Sequence, residues 1–164
     1  MFRPLMQTRP DFAFFLARLA LGLSLLPHGL AKIGIKFDGN MDIGGGLDQT
    51  VKYFSENFGL LPGFTYAAIA VEVLGSLFLI FGILARPAAA AVAVTMAMAA
   101  WKTLQGLAVV DEQQMPVTLE HVKTWWYDNP GSYHILAVGV AIAIMIRGAG
   151  WLSLDRAMSK SVVD

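Results

Sequence analysis

Residues 64–85 read FTYAAIAVEVLGSLFLIFGILA, a run whose one charge is Glu72. As an α-helix rising about 1.5 Å per residue, such a run crosses a hydrocarbon core about 30 Å thick. Three further windows of this kind flank it. The first runs from about Phe12 to Gly34 and carries Arg18, His28 and Lys32. Another, Pro87 to Val110, is rich in Ala, Met and Val and carries Lys102. The last, Gly131 to Ile146, is the shortest and contains His134. Gly34 with Lys36, Arg86-Pro87, Asp111-Glu112 and Arg147-Gly148 supply the stop signals. The reading is therefore an all-α bundle of four transmembrane helices, one membrane domain over residues 1–164, with spans at about 12–34, 64–85, 87–110 and 131–146.

Composition supports lipid as the solvent. Of the 164 residues, 56% are hydrophobic and 15% charged, against roughly 45–50% and about 25% in a soluble domain. Mean hydropathy is +0.58, and a globule of this size buries only about 70% of the surface its unfolded chain exposes. A soluble bundle would show a polar stripe at helical period, yet Ala88 to Ala100 contains only Thr95. The first run is too long for a signal peptide, follows Asp11 and has no clean small-x-small cleavage site, so it is expected to stay as a span. Twelve basic residues balance twelve acidic ones, which leaves no field to attract nucleic acid. There is no cysteine, so disulfides, thiolate metal sites and iron–sulfur ligation drop out, and redox work would need a bound cofactor.

Arg3, Arg9, Arg86, Arg147, Arg156 and Lys160 gather on one side of the four spans. The opposite loops hold only Lys36, Lys52 and Lys123 beside many acids. Basic loops stay cytoplasmic, so both termini are expected inside. Trp125, Trp126, Tyr127 and Tyr133 are then expected as an outer aromatic belt, with Trp151 at the inner boundary. In the first outer loop, Leu47, Val51, Phe54 and Phe58 fall at helical spacing after Gly44-Gly45-Gly46, which predicts a short amphipathic helix capping the bundle.

Charges at membrane depth are costly, about 2.5–3.5 kcal/mol each on insertion scales, and turn toward partners. Measured from the window midpoints, His28 lies about 7 Å, Glu72 about 4 Å and Lys102 about 5 Å toward the outside, nearly one layer. His134 lies somewhat farther out, Lys32 one turn above His28, and Arg18 about 8 Å inward, where it is expected to snorkel as a structural ion. Small residues beside these groups (Gly22 and Gly29; Ala68, Gly75, Ser76 and Gly82; Ala91 and Gly106) suggest that the faces meet in the core. The expected site is a polar pocket or proton relay of Glu72, His28, Lys102, Lys32 and His134. It would suit a quinone head group, while a haem between His28 and His134 is disfavoured by their unequal depth. The purely structural alternative is that Glu72 neutralises Lys102 or Lys32. No metal site and no catalytic residue is assigned.

Several stretches also line up in order. Arg18-x3-Gly22, Pro27-His28-Gly29, Lys32, Gly59-Leu60-Leu61-Pro62-Gly63, Glu72-x-x-Gly75, Gly82-x3-Arg86 and the run from Gly148 to Asp155 together resemble the DoxX family over about residues 13–156. The resemblance implies a four-helix bacterial inner-membrane protein. It further implies work beside quinol oxidases, thiosulfate:quinone oxidoreductases or superoxide-detoxifying complexes, as an accessory subunit of an oxidoreductase rather than an independent enzyme. Arg18, His28, Lys32, Glu72 and Ser153-Leu154-Asp155 are the residues it carries over. Members often place a histidine late in helix three and a glutamate early in helix four, where this chain has Lys102 and His134. The alternative function is a non-catalytic scaffold or assembly factor of a larger membrane protein complex.

Overall fold

The computed structural model describes residues 11–35, 46–112 and 131–161. Among these there is no strand, and the elements in order are α1 (Phe12–Lys32), α2 (Leu47–Phe58), α3 (Pro62–Phe81), α4 (Ala85–Glu112), α5 (Gly131–Arg147) and α6 (Leu154–Ser161). Helices α1, α3 and α4 are long and apolar enough to cross a membrane, and α5 is a shorter apolar helix. The four pack as a transmembrane bundle around Leu21, Leu25, Leu79, Ala89, Val92, Met96, Ala141 and Ile144. The outside is equally apolar. Leu23, Leu74, Val94, Leu136 and Ile146 are all more than half exposed, which only a lipid solvent tolerates over so much of a surface. Trp125, Trp126, Tyr127 and the glycine pair Gly44-Gly45 lie outside the described residues.

Close approach of the helices depends on missing side chains. A Cβ on Gly22 would stand 2.8 Å from Ile80 Cγ1, and one on Gly29 would stand 2.9 Å from Val73 Cγ2 and 3.1 Å from the Glu72 backbone carbon. These contacts set antiparallel α1 against α3, with Gly29 level with Glu72. Gly75 faces Val92 in the same way, its Cβ position 3.2 Å from Val92 Cγ2.

One end of the bundle is tied by Arg18. Its side chain is fully buried and donates to four backbone carbonyls: Nε to Ala149 at 3.0 Å, Nη2 to Leu152 at 2.9 Å, and Nη1 to Ile80 at 2.8 Å and to Leu79. The snorkelling expected of Arg18 therefore does not occur. The last carbonyls of α3 lack their regular helical donors, Leu79 taking only the Gly82 N–H at 3.2 Å, and a five-donor cation completes their bonding. The turn after α3 also differs from expectation. The break comes at Gly82, which is left-handed at φ +66°, and Pro87 sits inside the first turn of α4, where its absent N–H costs nothing. Asp155 closes this turn from a distance: its carboxylate accepts from Leu84 N at 2.7 Å and Ala85 N at 2.9 Å, capping α4 in trans. Its own N–H donates to the Gly82 carbonyl at 2.9 Å.

At the other end α2 lies across the bundle as the amphipathic cap. Thr50 and Val51 are buried, and Gly59 in a left-handed conformation turns the chain into Pro62, the first residue of α3. The helix α6 was not foreseen; it opens with Leu154 and Asp155, directly after Ser153, and the Asp155 bonds tie its start to the turn between α3 and α4 at the Arg18 end.

Asp155→Ala strips two acceptors from the start of α4, and loss of such a cap costs about 1–2 kcal/mol. The variant should unfold at a lower temperature than the parent in the same detergent, with Asp155→Asn in between. An unchanged midpoint for Asp155→Ala would show that the cap contributes nothing.

Candidate functional site

Glu72 stands in the middle of α3, on a π-helical turn over Val71–Gly75. One residue more per turn than the α-helix is a costly local geometry that recurs at functional sites. Here Ser76, fully buried, donates its hydroxyl to the Glu72 carbonyl within that turn. The carboxylate is buried and takes Lys32 Nζ on both oxygens at 2.6 Å. Two charged groups removed from water hold each other only through such short, doubled contacts. The pair is roofed by α2: Phe54 places its ring 5.6 Å from Lys32 Nζ, and Thr50 Oγ1 donates to the Lys32 carbonyl at 2.9 Å.

Beside the pair lies an aromatic and imidazole layer. His28 Nδ1 is 2.9 Å from the Ser24 carbonyl. A carbonyl only accepts, so Nδ1 carries a hydrogen and Nε2 is the ring nitrogen left for another partner. This bond goes to Ser24 rather than to the Leu23 carbonyl that Pro27 leaves without its helical donor. The His28 ring stacks on Tyr133, centroids 5.6 Å apart and planes within 13°. Ser24 spends its one hydrogen on the Leu21 carbonyl at 3.0 Å, so the 3.1 Å contact with Tyr133 is donated by the phenol. His134 follows Tyr133 with ring centroids 5.9 Å apart and lies within electrostatic reach of Lys32 and His28. Its Nδ1 is buried and has no hydrogen-bond partner among the described residues.

Glu72, Lys32, His28 and His134 are thus brought together, and Lys102 is not. The buried stripe of α4 is Ala85, Ala88, Ala89, Val92, Met96 and Ala100. At 100° per residue Lys102 points nearly opposite to Ala100, and it lines an outward groove with Val94, Ala97, Met98 and Trp101. Depth separates it too. Because Gly75 faces Val92, Glu72 is level with Thr95, and Lys102 stands seven residues, about 10 Å, farther along the bundle. Met98, on the same side as Lys102, is 44% exposed. Arg18 is held at the opposite end of α1, apart from the cluster.

Tyr133 was expected in an outer belt and is instead a half-buried wall of the site, packed on the core. Its helical phase carried the signal, since Tyr133, Ala137, Ala141 and Ile144 fall on one face. Ser24, Thr50 and Phe54 are further contributors not anticipated, and the π-turn has no sequence signature beyond the small residues Gly75 and Ser76. Among the described residues no group of three or more His, Asp or Glu side chains is arranged to hold a metal ion.

A family model, that of DoxX, matches residues 13–105, more than half of the chain. The chain belongs to the DoxX family. No curated protein and no solved structure matches it. The matched stretch of this DoxX protein takes in Arg18, His28, Lys32 and Glu72, whereas Tyr133, His134 and Asp155 lie beyond it. In the DoxX chain the ion pair, the cap over it, the π-turn and His28 therefore fall within the matched stretch, and Tyr133 and His134 on α5 lie outside it.

Removing one partner of a buried ion pair leaves an uncompensated charge, at a cost of about 3–5 kcal/mol. Lys32→Met and Glu72→Gln should each lower the thermal midpoint of the purified protein substantially, and the double variant should be less destabilised than the sum of the two. Strict additivity would show that Lys32 and Glu72 do not couple.

Proposed function

We propose that this DoxX protein is an accessory subunit of a quinone-linked respiratory or redox complex in a bacterial inner membrane, and that the cluster around Glu72 receives the quinone head group. The observation that carries this reading is the buried His134 Nδ1, which has no partner among the described residues. A buried polar atom left unpaired costs about 1–3 kcal/mol, and a carbonyl or hydroxyl of a bound head group would satisfy it. The Nε2 of His28 offers a base, and Glu72 with Lys32 offers a carboxylate and an ammonium that can exchange a proton with the bound group. An apolar groove between α3 and α4, lined by Val71, Leu74, Phe78, Pro87 and Ala91, starts beside the π-turn and would suit an isoprenoid tail.

In this reading the whole chain, residues 1–164, is one four-span domain, and both termini face the cytoplasm. The positive-inside bias supports that orientation: Arg86, Arg147 and Arg156 stand at the Arg18 end, and Lys52 with Glu56 on α2 stands at the other.

Lipid extracts of the purified wild-type protein should contain quinone, and His134→Ala, which removes an Nδ1 with no hydrogen-bond partner among the described residues, should lower that content together with the activity of the host complex. His28→Ala and Glu72→Gln should do the same. If all three variants keep the quinone, the activity and the partner complex, the cluster only fixes helix packing and the protein is a scaffold. Orientation is checked in the cysteine-free background: Glu56→Cys should react with an impermeant maleimide in intact spheroplasts and Ala157→Cys only after lysis, while the reverse pattern would invert the topology.

A further inference from the structure

The outward face of α4 carries a feature that the Glu72 cluster does not use. Val94, Ala97, Met98, Trp101 and Lys102 follow one another at three- and four-residue spacing and line an open groove of about 490 Å³. The groove is almost wholly apolar, with Val94 64% and Trp101 65% exposed. Its one cation is Lys102, at the end farther from Arg18, and no hydrogen bond or ion pair engages Lys102 among the described residues. A helix that leaves the basic boundary at Arg86 and rises about 1.5 Å per residue crosses a core about 30 Å thick in about twenty residues, near Gly106. Lys102 therefore sits about one turn below that boundary, a reach that a four-carbon stem can span to carry its ammonium toward the polar layer. Trp101 beside it is the residue type that settles at that boundary.

We propose that this groove binds an anionic phospholipid, with its phosphate on Lys102 and one acyl chain along Ala97, Met98 and Val94. Charge decides the occupant. An ammonium on a lipid-facing helix with no partner among the described residues needs an anion, and in the layer it reaches the anion at hand is the headgroup phosphate. The shape agrees: Ala97 lowers the middle of the face, while Val94, Met98 and Trp101 supply the walls that an alkyl chain contacts. A zwitterionic lipid brings its own cation and gains less from Lys102, so the site should discriminate by net charge.

The test uses the full-length protein in nanodiscs made from equal parts phosphatidylglycerol and phosphatidylcholine, with annular lipid read by native mass spectrometry after release. A single cation near the membrane surface changes affinity for anionic lipid by about fivefold. Wild type should retain phosphatidylglycerol over phosphatidylcholine by about that factor, Lys102→Arg should keep the preference, and Lys102→Gln should lose it. Because Lys102 makes no hydrogen bond or ion pair among the described residues, thermal midpoints of the variants should match wild type, which separates lost binding from lost folding. Equal retention of the two lipids by wild type, or an undiminished preference in Lys102→Gln, overturns the proposal. So does a shift of the particle mass to a dimer that Ala97→Trp abolishes while lipid preference stays constant, since the groove would then be filled by a second copy of the chain.

Discussion

An ammonium and a carboxylate at 2.6 Å inside an apolar bundle constrain everything around them. Neither Lys32 nor Glu72 can be left alone at that depth, because each carries a desolvation cost of several kcal/mol. Their meeting requires α1 and α3 to approach until Gly29 touches the Glu72 backbone. It also turns Glu72 inward on a π-helical turn and leaves the outer side of the pair for α2 to cover with Thr50 and Phe54. The helix register, the glycines and the cap thus follow from one pairing, and the imidazole wall of His28 and His134 borrows its position from the same register.

The opposite end solves the same problem without an opposing carboxylate in contact. Arg18 spends its donors on four backbone carbonyls, and Asp155 spends its oxygens on two backbone N–H groups. Each charge meets the helix end whose partial charge is opposite to its own, the cation at the C-terminus of α3 and the anion at the N-terminus of α4. Two ions that do not bridge each other therefore complete a turn between two membrane helices. This arrangement explains the density of glycine there: a Cβ on Gly82 would stand 2.6 Å from Ser153 Cβ and 2.7 Å from Arg18 Nη1.

Four apolar windows, the amphipathic cap and the inward charges of α1 and α3 were all legible in residue order, because length and hydropathy report directly on a lipid solvent. What escaped depends on distance or phase. Asp155 caps a helix seventy residues earlier in the chain, so the break at Gly82 could not be separated from the more obvious Arg86-Pro87 signal. Lys102 was grouped with Glu72 by depth alone; its helical phase, nearly opposite the buried stripe through Met96 and Ala100, excludes it from the core. Tyr133 was assigned by the chemistry of its ring when its alignment with Ala137 and Ala141 pointed inward. Arg18 was recognised as separate from the cluster, but the carbonyls that bind it belong to segments sixty and more residues away.

The account rests on Lys32 and Glu72 being paired within a lipid-embedded bundle. Solid-state NMR on protein labelled with ¹⁵N at lysine Nζ and ¹³C at glutamate Cδ, reconstituted in bilayers, measures that contact directly. A strong dipolar coupling between a lysine nitrogen and the Glu72 carbon that vanishes in Lys32→Arg carrying the same lysine and glutamate labels is the result expected. A Glu72 carboxyl with no lysine nitrogen in range, or one in contact with acyl-chain protons, would contradict it.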